Sequence, residues 1–108
     1  AYEVLEHLAQ QGDYEFFFRE FSEYARILKP GGIFCASVPS IDSPWAWGDP
    51  SHKRIISEET LSFLNQGIYG QVGYTTMSDF RHIYKANFLK VYSRHSIHHF
   101  YFVLENRK

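Results

Sequence analysis

From Asp13 to Leu28 the apolar residues Tyr14, Phe17, Phe18, Phe21, Ala25 and Leu28 recur at the three- and four-residue steps of one helical face. Asp13 is placed to cap the first turn, while Glu15, Arg19, Glu20, Glu23 and Arg26 fall mainly on the opposite side, which the pattern predicts to be wet. Lys29-Pro30-Gly31-Gly32 ends the helix, because proline disfavours helix in the residue before it and glycine supplies the turn. The run Ile33–Val38, short, largely apolar and closed by Pro39, predicts a strand buried on both faces.

Residues 40–54 have no period and are rich in Pro, Gly, Ser and Asp, which predicts a long loop. Ser57 suits an N-cap, Glu58 and Glu59 suit the positive end of a helix dipole, and Ile56 with Leu61 has staple spacing. A short helix to about Gln66, stopped by Gly67, follows. Residues 67–76 are ambiguous. Ser78 can cap a further short helix with Phe80, Ile83 and Tyr84 on one side and Asn87 at its exit. Phe88–His95 reads as a strand, Ser96-Ile97 as a turn and His99–Glu105 as a second, antiparallel strand. Phe100–Leu104 does not alternate, which predicts a central strand covered on both faces.

At 108 residues the chain has room for one domain that buries somewhat under ~70% of its unfolded surface. Ten Phe, eight Tyr and two Trp make the expected core aromatic and exclude disorder. A formal net charge of -1 leaves no positive field for nucleic acid or for an anionic membrane surface. No stretch approaches the ~18 apolar residues that cross a bilayer. Cys35 is the single cysteine, so an intramolecular disulfide and a Cys-based zinc site are excluded, and a reducing cytoplasm is the expected compartment.

The segments EVLEHL (3–8), ILKPGG (27–32) and IFCASVP (33–39), with the helix between the first two, resemble class I S-adenosylmethionine-dependent methyltransferases. The LKPGG turn is moderately specific, and its spacing from EVLEH makes the resemblance strong. The order that follows, helix and then an antiparallel strand pair with the last strand inserted inward, extends it over essentially the whole chain. The resemblance implies an α/β fold, the C-terminal half of a Rossmann-like sheet, with one parallel-type strand, an antiparallel pair and three helices. It also implies a cofactor-binding glycine loop and a ribose-binding acid, neither of which lies in residues 1–108. Gly67, Gly70 and Gly73 in GIYGQVG are no substitute, because they follow a predicted helix; a flexible loop is the expectation.

By the same resemblance, Tyr2, Glu3 and Val4 line the cofactor's methionine end and Glu6 the substrate mouth. Glu3, Glu6 and His7 are spaced so that one helical turn would bring them to one side. Similar EVxEH stretches in coenzyme-Q-type O-methyltransferases can hold a divalent cation, so the resemblance leaves a cation at Glu3, Glu6 and His7 open; the alternative, taken as the expectation, has no metal, with His7 packed against the helix start and the glutamates solvated. Trp45, Trp47, Asp49 and Lys53 are substrate-binding candidates because WAWGDPSHKR follows the C-terminal end of a predicted strand. His7 and His52 are the candidate catalytic bases. His95, His98 and His99 read as ordinary exposed histidines, since His98 and His99 point to opposite faces of a strand.

The expected activity is methyl transfer from S-adenosylmethionine to a small-molecule acceptor by a longer parent protein, the isolated chain being inactive. The alternative is a non-catalytic interaction or assembly module. In either case the open edge of Ile33–Val38 predicts a homodimer or larger oligomer.

Overall fold

A computed structural model describes residues 1–108. Helix α1 (Tyr14–Ile27) is followed by strand β1 (Ile33–Pro39), two short helices α2 (Trp45–Gly48) and α3 (Glu58–Ser62), and strands β2 (Phe88–His95) and β3 (His99–Asn106). Leu5–His7 and Gln66–Gln71 are 3-10 turns. The sheet has the order β1-β3-β2, so the last strand lies in the middle and both of its pairings are antiparallel. β1 is therefore no parallel-type strand within the sheet. Its one parallel contact is an isolated bridge between Tyr2 and Ser37, where the Glu3 amide donates to Ser37 O and the Ser37 amide to Ala1 O.

The helical period of α1 translates directly into packing. Phe18, Phe21 and Ala25 are buried, the Asp13 carboxylate accepts from the Phe16 amide, and Tyr24 stacks on Phe34 of β1. The inward positions of β3 are Phe100, Phe102 and Leu104, which join Val38, Phe88, Tyr69 and Tyr84 in one aromatic-rich core. Tyr84, wholly buried, donates its hydroxyl to Leu64 O, as a buried phenol must find an acceptor.

Asn106, at the end of β3, is also wholly buried. Its side-chain amide donates to Ala25 O (2.9 Å) and Leu28 O (3.1 Å), carbonyls that α1 leaves without partners at its C-terminus. One side chain thus ties the central strand to the helix that covers it.

Several expectations are corrected. The face of β3 carrying Tyr101 and Val103 is only partly buried, because α1 covers one side of the sheet and nothing in the chain covers the other. The alternation was masked by the apolar residues at these two outward positions. No helix starts at Ser78; the chain makes a single turn in which the Ile83 and Tyr84 amides donate to Phe80 O, and Phe80 packs against Phe18 and Phe63. α3 stops at Ser62 rather than near Gln66, because the Asn65 side chain accepts from the Gly67 amide and donates to Phe88 O. The segment 40–54 contains α2, started by Ser43, whose hydroxyl accepts from the Trp45 amide. GIYGQVG is no flexible loop: its 3-10 turn is anchored by buried Tyr69, which donates to Phe63 O at 2.7 Å.

Glu20 is not on a wet face. Arg54 grips its carboxylate with two hydrogen bonds (2.8 and 3.0 Å), both side chains are almost wholly buried, and Tyr24 adds a third bond to Glu20 at 2.6 Å. The remaining Arg54 donor, Nε, bonds Leu5 O at 2.7 Å, so the pair fixes the N-terminal segment to α1. No helix is long and apolar enough to cross a membrane.

Asn106→Ala removes the donor to Leu28 O and leaves Ala25 O with Lys108 Nζ alone, and should cost about 1–3 kcal/mol, read as a lower urea midpoint at unchanged slope. For the ion pair, Arg54→Met alone strands a buried carboxylate and should cost about 3–5 kcal/mol. Arg54→Met with Glu20→Leu should recover much of that loss in the same measurement.

Candidate functional site

The latch from Arg54 to Leu5 O sets the neighbouring residues side by side. The Lys53 amide donates to Glu6 O at 2.8 Å and the Gln11 amide to Lys53 O at 2.9 Å, pairing the segment after β1 with the segment before α1. Leu5, 1% exposed, fills the core beneath. This frame brings Glu6, His7 and His52 together from positions far apart in sequence. One ligand atom from each lies within 4.8 Å of the others, and the two imidazole centroids are 4.9 Å apart at 69°.

Both imidazoles are oriented by backbone carbonyls. His7 Nδ1 bonds Ser51 O at 3.0 Å, and His52 Nδ1 bonds Trp45 O at 2.8 Å and Ala46 O at 3.3 Å. A carbonyl only accepts, so each Nδ1 carries a proton, and in the neutral ring the lone pair is at Nε2. His52 Nε2 faces Asp49 Oδ2 at 3.6 Å. The Ser51 amide and then its hydroxyl, at 2.9 and 2.8 Å, hold Asp49 below the usual carboxylate range, with His52 and His7 contributing further.

Glu6 is the anomaly of the molecule. It is 2% exposed, and neither carboxylate oxygen has a hydrogen-bond partner. A buried carboxylate without donors is costly, because desolvation is not compensated. Set against it is another carboxyl: Glu3 is pushed up to about 7 by burial first, then by side-chain contact with Glu6 and by its charge. Glu3 also faces His99 Nε2 at 3.3 Å and accepts a long bond from the Ser37 hydroxyl.

The residues expected to act together separate into two groups. Glu6, His7 and His52 converge, and Asp49 meets them through His52. Glu3 does not share a helical turn with Glu6 and His7: its φ of 52° places it before the turn, on the parallel bridge. Tyr2 and Val4 are exposed at 69% and 46%, Trp45 and Trp47 at 61% and 57%, and Lys53 is exposed as well, so their side chains stay out of the cluster's hydrogen bonds, which Trp45 and Lys53 enter only through the backbone. His95, His98 and His99 do not converge: His95 stacks on Phe100, His98 Nδ1 bonds the Ser43 hydroxyl, and His99 meets Glu3.

Sequence reasoning missed Ser51 and Arg54. Arg54 had one signal, a charged residue set directly before the apolar pair Ile55-Ile56; its partner Glu20 had none. A separate cleft of about 300 Å³ between the start of α1 and α3, bordered by Tyr14, Phe17, Phe63 and Phe80, holds none of the expected site residues.

Chemically, the cluster offers two nitrogen lone pairs and an unneutralised carboxylate at one point, which suits proton transfer or cation binding. Compared with protein-family models, with curated proteins and with solved structures, the chain matches none of them.

Proposed function

We propose that this chain carries the acceptor side of a methyl-transfer site that uses S-adenosylmethionine. The observation that carries the reading is the convergence of Glu6, His7 and His52, with Asp49 against His52, next to the Tyr2–Ser37 parallel bridge. Asp49 and His52 lie on the segment that follows the C-terminal end of β1, and ligands in open α/β sheets bind outside the carboxyl ends of the strands. The sheet order, with the last strand in the middle, is the order that the resemblance implies and so supports the reading.

The cofactor supplies an electrophilic methyl on a sulfonium. The glycine loop and the ribose-binding acid expected for it are not among residues 1–108, so activity is assigned to a protein containing this chain rather than to the chain alone. The chain's own residues orient the acceptor and take its proton. Nε2 of His7 or His52 receives the proton of an acceptor hydroxyl or amine, while the carbonyls at Nδ1 keep the ring in the accepting tautomer. Trp45 and Trp47, exposed at the border of the cluster, provide apolar surface for a small-molecule acceptor.

A second reading, an assembly module, is favoured by the uncovered sheet face. Ile33, Cys35, Val103, Tyr101 and Tyr92 share it, and β1 keeps an unpaired edge beyond the N-terminal bridge. Light scattering separates a monomer from an assembly. Val103→Lys, at a partly exposed position, should dissociate the assembly without unfolding the chain.

In the full-length protein, His52→Ala and His7→Ala should each lower turnover with S-adenosylmethionine by about ten- to a hundredfold, with little change in Tm. Undiminished turnover in both variants removes the histidines from the proton path and leaves a site that works by orientation alone.

A further inference from the structure

We propose that Glu6, His7 and His52 form a binding site for one divalent transition-metal ion, with Asp49 at its open side as a fourth ligand. The proposal uses the same residues as the methyl-transfer reading and holds whether or not that reading does.

Three independent observations point to the same spot. First, the Glu6 carboxylate is buried with both oxygens unpaired, and the fold supplies no cationic side chain there. Arg54, the buried cation in this part of the core, turns all three of its nitrogens to Glu20 and Leu5 O. A metal ion would satisfy the carboxylate that the protein leaves bare.

Second, both histidines are prepared as ligands. Metal-bound imidazoles commonly donate their other ring N–H to a carbonyl or carboxylate, which fixes the tautomer and the ring plane. His7 does this to Ser51 O, and His52 to Trp45 O and Ala46 O. The lone pairs left at Nε2 have no donor to receive. The 3.6 Å approach of Asp49 Oδ2 to His52 Nε2 sets a carboxylate against a lone pair, an arrangement that a cation between them makes favourable.

Third, the spacing is close to what a metal needs. The three ligand atoms lie within 4.8 Å of one another, while the edge of a tetrahedron with 2.0–2.1 Å bonds is about 3.3 Å. Small side-chain rotations close that difference. The backbone does not have to move, because the Lys53–Glu6 hydrogen bond already holds the two segments in place.

The donor set selects the class of ion. Two imidazoles and one or two carboxylates suit Zn²⁺ and its neighbours Co²⁺ and Mn²⁺, whereas Mg²⁺ and Ca²⁺ prefer all-oxygen shells. Two carboxylates also balance the charge of a divalent ion. Glu3 stands outside the set: it lies on the parallel bridge and faces His99. The ligands are thus one glutamate and two histidines from two segments, and not the local trio of Glu3, Glu6 and His7.

The test is titration of the chelator-stripped 108-residue chain with ZnCl2 by calorimetry and with CoCl2 by visible absorption. One equivalent should bind with a micromolar or tighter Kd, Co²⁺ should show the intense bands of a low-coordinate site, and MgCl2 should bind at least about tenfold more weakly than Zn²⁺. Saturating Zn²⁺ should raise Tm, since the ion binds the folded chain. Glu6→Gln and His52→Ala should each weaken Zn²⁺ binding by about a hundredfold, while His95→Ala and His98→Ala, outside the cluster, should change it less than about threefold. His52→Ala leaves Glu6 and the Lys53–Glu6 backbone hydrogen bond in place, so it remains informative should Glu6→Gln fail to fold. Absence of saturable one-equivalent binding would overturn the proposal. Binding that survives both Glu6→Gln and His52→Ala would overturn it equally, by assigning the ion to surface histidines. Methyl transfer needs no measurement here, so loss of that activity with intact metal binding would count against the functional reading alone.

Discussion

Arg54 meets the carboxylate of Glu20 with two nitrogens and the carbonyl of Leu5 with a third, all out of contact with water. A buried ion pair of this kind contributes little net stability compared with well-packed apolar residues of the same volume, because desolvation offsets most of the attraction. Its importance is positional. Leu5 O belongs to the same 3-10 turn as Glu6 and His7, and Arg54 is two residues from His52. Fixing one carbonyl against one guanidinium therefore sets the separation of the side chains that make the site. Glu20 and Tyr24 extend that fixation into α1, so the position of the site depends on the helix that covers the sheet.

The same region contains the charged side chain that the fold leaves without a donor. Tyr69, Tyr84 and Arg54 find partners, and Asn106 pairs its amide nitrogen while its Oδ1 stays unpaired, but only at Glu6 are both oxygens of a buried carboxylate left without one. Strain of this sort is normal at functional sites and rare elsewhere. The surrounding apolar packing, from Leu5 below to Phe18 and Phe21 of α1, is sufficient to hold it.

How far the sequence reveals this arrangement depends on the kind of interaction. α1, β1 and the β2–β3 pair are legible because burial imposes a period, and Asp13, Ser57 and the Lys29–Gly32 turn mark boundaries by local chemistry. The meeting of His7 with His52 is legible only through resemblance, since no local rule links residues 45 positions apart. Glu20 is invisible: on a helical wheel it shares the outer side with Glu23 and Arg26, and only a partner arriving from Arg54 turns it inward. The turn at Phe80–Tyr84 carries a good cap and apolar spacing, yet aromatic packing on Phe18 and Phe63 holds it short of a helix. Tertiary contacts there outweigh a propensity worth only tenths of a kcal/mol per residue.

The place of β3 in the sheet has a consequence for how the chain acquires its structure. The middle strand of the sheet comes after both of its neighbours in sequence, and its ladder with β1 joins Ile33 to Glu105 across most of the chain. During synthesis β1 and β2 therefore leave the ribosome with no strand between them, and the aromatic side of α1 has no finished surface to cover. Loop closure over such a span must precede the contacts that reward it, which slows folding and lengthens the exposure of unpaired strands. Asn106, reaching back to the end of α1, completes the closure: the helix is capped by a residue made 81 positions after Ala25.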